Sequence, residues 1–233
     1  MNTSQSVTYA QTSVSSIFMR QVYQWMTAGL GATALVAWFV ASTPALMQMV
    51  FSNSFVLIAL VVAQLGLVIA LSAAVHKMSA SMASGLFILY SALTGVTLSS
   101  ISIVYPMGSI ATAFFCTAGT FLAMSIYGTV TKRDLTGMGS FLMMGLIGIL
   151  IASVVNIFLK NSMMDFVISC LGVVIFTGLT AYDTQKIRQF GAGAPLDDST
   201  AIRRGAILGA LTLYLDFINL FLMMLRLFGG NRE

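Results

Sequence analysis

Fifty-six consecutive residues, from Gln21 to His76, contain no Lys, Arg, Asp or Glu, and the fifty-four from Met78 to Thr131 contain none either. Each run is long enough for two membrane-spanning helices of about 20 residues with a turn between them. Of the 233 residues, 58% are hydrophobic and 8% charged, a balance that a water-soluble fold could not hide in one core. The chain therefore reads as an all-α, polytopic integral membrane protein. The segments are continuously apolar and lack the alternation of barrel strands, which argues against an outer-membrane barrel.

Apolar windows predict seven spans, roughly at 24–42, 55–75, 82–105, 108–130, 138–159, 165–186 and 205–228. The expected organisation is a short cytosolic tail over 1–23, one seven-helix transmembrane domain over 24–228 and a C-terminal tail over 229–233. The tail is rich in Ser, Thr and Gln and lacks the basic start of a cleaved secretory signal. Pro44 and Asn53 bracket the first connection, Pro106 and Gly108 tighten the third, and the longest, over 187–204, contains GAGAPLDDS and reads as an exposed loop. Small residues at Gly205 and Gly209, and at Gly145 and Gly148, suit close helix packing in lipid.

Counting basic residues on alternate sides sets the orientation. Arg20, Lys77, Lys132, Arg133, Lys186, Arg188, Arg203 and Arg204 fall on the N-terminal side, and Lys160, Arg226 and Arg232 on the other. The N-terminus is expected in the cytosol and, after seven crossings, the C-terminus outside.

Several chemistries find no support. Cys116 and Cys170 lie within spans and do not form a disulfide framework, and the single histidine, His76, reads as an interfacial residue ending the second span. Asp197 and Asp198 are two adjacent acids in a loop, too few for a calcium-binding loop. No nucleophile stands with a paired base or metal set, so no enzymatic role and no cofactor are expected. The net charge of +4 is explained by loop placement and implies no nucleic-acid partner.

Two acids break the pattern. Asp216 lies near the middle of the last apolar segment, GAILGALTLYLDFINLFLMMLRLF, and Asp183 near the end of the one before, in LTAYDTQKIR. An Asp at the centre of a membrane helix costs roughly 2.5–3.5 kcal/mol on insertion scales, and such residues mark functional sites. If the two meet, they hold one proton between them and titrate as a unit, forming a proton-sensitive latch. Depth leaves that contact open. Measured from Arg204 and Lys186, the two acids differ by over roughly 10 Å at 1.5 Å per residue, unless the last helix starts in the cytosol or the basic residues snorkel. Tyr182, Thr212, Tyr214 and Asn219 are near enough in sequence to support the acids by hydrogen bonds.

LYLDFINLF followed by LRLFG, with AYDTQ in the preceding span, resembles the Bax inhibitor-1 family. RQVYQWMTAGL and LYSALTGVTLSSI are similar to its bacterial members, and the short uncharged N-terminus resembles the inner-membrane branch. The resemblance implies a seven-helix bundle with the last helix central. It also implies a di-aspartyl pH sensor, here Asp183 and Asp216, that gates a calcium leak, with H⁺ and transient Ca²⁺ as the ions met. The second span offers Gln64 where some relatives carry a charged residue. Two alternatives stay open: a proton-coupled transporter of a small solute, and a non-transporting modulator of a membrane protease or other membrane-protein partner.

Overall fold

A computed structural model describes residues 3–193 and 199–229, with side chains from residue 15 onward. All the regular structure among these residues is helical: α1 (Thr3–Ala41), α2 (Pro44–Phe51), α3 (Ser54–Ala74), α4 (Ala80–Leu98), α5 (Ile101–Val104), α6 (Met107–Val130), α7 (Thr136–Leu159), α8 (Ser162–Ala192) and α9 (Ser199–Phe228). Seven of the helices are long and apolar enough to cross a membrane. They fall where the seven windows were predicted, with two corrections.

The N-terminal segment, expected as a tail over 1–23, is helical from Thr3, and its membrane-length apolar part begins at Ser15. No Gly or Pro precedes Gly29, so nothing in that stretch stops a helix. The connection expected over 187–204 is shorter, because α8 runs on to Ala192 and α9 begins at Ser199. Lys186, Arg188, Arg203 and Arg204 therefore stand on helical extensions. Asp197, Asp198 and Arg232 lie outside the described residues. Between the first two spans, Pro44 opens the short helix α2 at its first turn, and Asn53 caps α3 by accepting from the Phe55 N–H at 2.9 Å.

The helices form two compact units. The first holds residues up to Val104 together with Arg188–Tyr214. Within it α1 packs on α4 through small residues: a Cβ on Gly95 would lie 2.6 Å from the Thr33 carbonyl oxygen. Thr33 Oγ1 donates to the carbonyls of Gly29 (2.9 Å) and Ser91 (2.8 Å) and lies 2.6 Å from the Tyr214 hydroxyl. The Tyr214 ring is fully buried and meets Phe87 and Tyr90 edge-on at 5.8 Å. Arg204 Nη1 donates to the carbonyls of His76 (2.7 Å) and Met78 (3.2 Å), tying the start of α9 to the turn between α3 and α4.

The second unit holds Tyr105–Ile187 and the chain from Leu215 onward. It is built from α6, α7, most of α8 and the second half of α9, and it contains both acids. Across both units, 67% of the most apolar stretch of α9 is buried, against 6–39% for the other six spans. Asp216, in the second unit, is 5% exposed.

Candidate functional site

The second unit sets the position of α8 from three sides. The α7–α8 hairpin turns at Lys160, whose φ of 51° lies in the left-handed region. Asn156 closes the turn, donating to the Asn161 carbonyl and to Asp165 Oδ1, both at 3.2 Å, and accepting from the Asn161 N–H at 3.1 Å. From there the helices run antiparallel, with Gly145 against Ile175, Leu142 against Gly178 and Gly139 against Tyr182. A Cβ on Gly139 would lie 2.5 Å from the Tyr182 ring. On α6, Gly128 packs directly on the backbone of Ala181. The sequence therefore places glycines against the two residues that precede Asp183.

Gln185 supplies a polar lock that sequence reasoning missed. Its side chain is buried, accepts from the Leu135 N–H at 2.9 Å and donates to the Arg133 carbonyl at 2.8 Å. It pins the loop between α6 and α7 to α8. The signal was available: an amide buried in an apolar span is costly unless both its ends are partnered.

Asp183 is half-buried and Asp216 is 5% exposed, and the two carboxyl groups lie near enough to each other to share a proton. A hydrogen bond between carboxyl groups needs a proton on at least one of them, and a single shared proton would leave the pair with one negative charge. Oδ2 of Asp216 is buried with no partner. Lys186, one turn beyond Asp183, acts on it through its charge and also stands 5.6 Å from the centre of the Tyr182 ring.

The depth difference that left the contact open resolves in this unit. Gly172 faces Met223. Counted from that contact, Asp183 lies eleven residues along α8 and Asp216 seven residues back along α9, or about 16 Å and 10 Å at 1.5 Å per residue. The offset is about 6 Å, one helical turn. The helices are antiparallel and each Cβ tilts toward its own helix N-terminus, so the two side chains lean toward each other across that turn.

The other residues considered near the acids make their contacts elsewhere. Thr212 donates to the Leu208 carbonyl at 3.2 Å, and Asn219 to the Leu215 carbonyl at 2.8 Å. Tyr214 pairs with Thr33, and Tyr182 packs its ring on Gly139. Gln64 donates to the Leu93 carbonyl at 3.1 Å and to Thr97 Oγ1 at 2.6 Å, joining α3 to α4 in the first unit. No group of three His, Cys, Asp or Glu side chains suited to a metal ion occurs among the described residues.

A family model described as "Inhibitor of apoptosis-promoting Bax1" matches residues 15–233. The chain belongs to the Bax inhibitor-1 family. Among similar sequences, "Inner membrane protein YbhL" of Escherichia coli is 56% identical over 215 residues, covering 92% of each chain. An uncharacterized protein of Borreliella burgdorferi is 50% identical over 221 residues, 94% of each. An uncharacterized membrane protein of Streptococcus pyogenes is 36% identical over 230 residues, covering 97% of this chain and 98% of its own. Membership of the Bax inhibitor-1 family thus extends over all seven spans and includes both acids.

Proposed function

We propose that this chain is a pH-sensitive calcium leak of the bacterial inner membrane, gated by the Asp183–Asp216 pair. The observation that carries the reading is the approach of the Asp183 and Asp216 carboxyl groups, one from α8 and one from α9, within the spans. The membrane assignment draws on the name of the Escherichia coli relative.

With one proton present, a charge-assisted hydrogen bond ties the two helices. Loss of that proton leaves two like charges, and two carboxylates about 4 Å apart at an effective dielectric of 20 repel by about 4 kcal/mol. That is enough to bias a closed–open equilibrium of a few kcal/mol. Opening therefore follows deprotonation, and flux rises with pH. The freed carboxylates are hard oxygen ligands that suit Ca²⁺ in transit. In this reading the protein needs no cofactor and catalyses no reaction. Its N-terminus faces the cytosol, where eight of eleven basic residues are counted, and its C-terminus lies outside.

The first test is whether purified protein in liposomes loaded with a calcium-sensitive dye admits calcium faster than empty liposomes. Influx above that background supports the leak. Folded protein that gives none at any pH removes it, and saturable uptake of a particular solute would favour a proton-coupled transporter.

A further inference from the structure

Ten serine and threonine side chains are buried among the described residues. Eight of them donate to a backbone carbonyl three or four residues earlier. This is the usual way for a hydroxyl to be satisfied in an apolar helix. The other two are Ser125 on α6, 4% exposed, and Thr184 on α8, fully buried, and neither hydroxyl has a partner. Asp216 Oδ2 is the third such oxygen in the second unit. Buried polar atoms without partners are rare in folded proteins, and three in one unit point to a polar guest.

Their placement is set by contacts already described. α7 runs antiparallel to α8, and α6 joins α7 through a short loop, so α6 runs parallel to α8. Ser125 lies three residues before Gly128, which packs on Ala181, and is therefore level with residue 178 of α8. Asp216, seven residues before Met223, is level with residue 179. The two residues thus stand at the same height along their helices to within about 2 Å. The helices carrying them touch there, since the rings of Phe121, one turn before Ser125, and Phe217, next to Asp216, are 5.5 Å apart. Thr184, beside Asp183, is about 8 Å further along α8.

We propose that Ser125 Oγ and Asp216 Oδ2 form a transit site for a partly hydrated divalent cation, with Thr184 Oγ1 the next oxygen along its path. The proposal rests on the leak reading above and names the residues that would hold the ion. A carboxylate and hydroxyls are hard ligands of the kind Ca²⁺ takes. Two protein oxygens fall short of the six to eight that Ca²⁺ prefers, so the ion keeps water and leaves easily, as permeation requires.

The test uses Mn²⁺ as a paramagnetic stand-in and measures its binding to the purified full chain by the loss of the free-ion resonance signal. The parent is compared with Ser125→Ala, Thr184→Val and a control, Ser169→Ala, whose hydroxyl donates to the Asp165 carbonyl at 2.8 Å. The expected result is measurable binding by the parent, weakened about tenfold by Ser125→Ala and unchanged in the control. Without metal, Ser125→Ala should unfold no earlier than the parent, because it removes a hydroxyl that has no partner. Absence of Mn²⁺ binding by the folded parent, parent-like binding by Ser125→Ala, or a marked loss of its metal-free stability would each overturn the site. The two readings fail separately. Mn²⁺ binding without calcium influx in liposomes keeps the site and removes the leak, and influx without binding does the reverse.

Discussion

Gly128 packs its bare Cα against the carbonyl group of Ala181, two residues before Asp183. That approach sets the height and closeness of α8 against α6. Gly128→Ala would place a methyl group on the Ala181 backbone, which cannot give way as a flexible side chain could. It should destabilise by about 1–3 kcal/mol. Gly148 on α7 has open space around it, so Gly148→Ala should be neutral or stabilising by about 0.5–1 kcal/mol. Thermal unfolding of the two variants in the same detergent checks the contrast.

Gln185 holds the loop between α6 and α7 with both ends of its amide. Gln185→Leu leaves the Leu135 N–H and Arg133 carbonyl without their partner, at a cost of about 1–3 kcal/mol. Gln185→Glu keeps the acceptor and should recover part of that. Amide hydrogen exchange should rise at Leu135 in the leucine variant, and unchanged protection there would mean the lock does not hold the loop.

Asp134, exposed in that loop, accepts from the hydroxyl of Thr136 at 2.6 Å and from its N–H at 2.9 Å. These bonds hold its carboxyl below the ordinary aspartate value of 3.8. For a depressed acid, the stabilisation is present above that ordinary value and is lost as pH falls through the folded one. The effect is thus confined to below about pH 4. Thr136→Val should move the Asp134 titration back up, as read by NMR, without altering behaviour near neutral pH.

Tyr214 lies two residues from Asp216, yet it belongs to a different polar group, with Thr33. Tyr214→Phe keeps the buried ring against Phe87 and Tyr90 and leaves Thr33 its two carbonyl acceptors. It should cost only about 1 kcal/mol and leave the pH dependence of flux unchanged. A shifted pH midpoint in this variant would tie Tyr214 to the acids.

The spans and the two acids were legible because composition decides both: charge-free runs of this length fit only a membrane, and an Asp within one stands out. The contacts of their neighbours were not legible, because nearness along a helix is not nearness in space. Two residues correspond to about 200° of rotation, so Tyr214 and Asp216 face different ways. Thr212 and Asn219 do lie one turn from Asp216, but each satisfies its side chain on its own helix. Gln185 was missed although it follows Asp183 by two residues, because its partners come from a loop fifty residues earlier. The meeting of Asp183 with Asp216 depended on the one-turn offset between α8 and α9, which apolar windows do not encode.

The most direct test of the gate is the pH profile of calcium influx into dye-loaded liposomes, from about pH 5 to 8, for the parent, Asp183→Asn and Asp216→Asn. An asparagine can still donate to the remaining carboxylate but cannot be titrated, so it should keep the helices tied at every pH. Under the proposed gate, influx should rise with pH in the parent, with a single midpoint, and stay low and flat in both variants. A parent profile that falls as pH rises, or asparagine variants that keep the parent's midpoint, would contradict it.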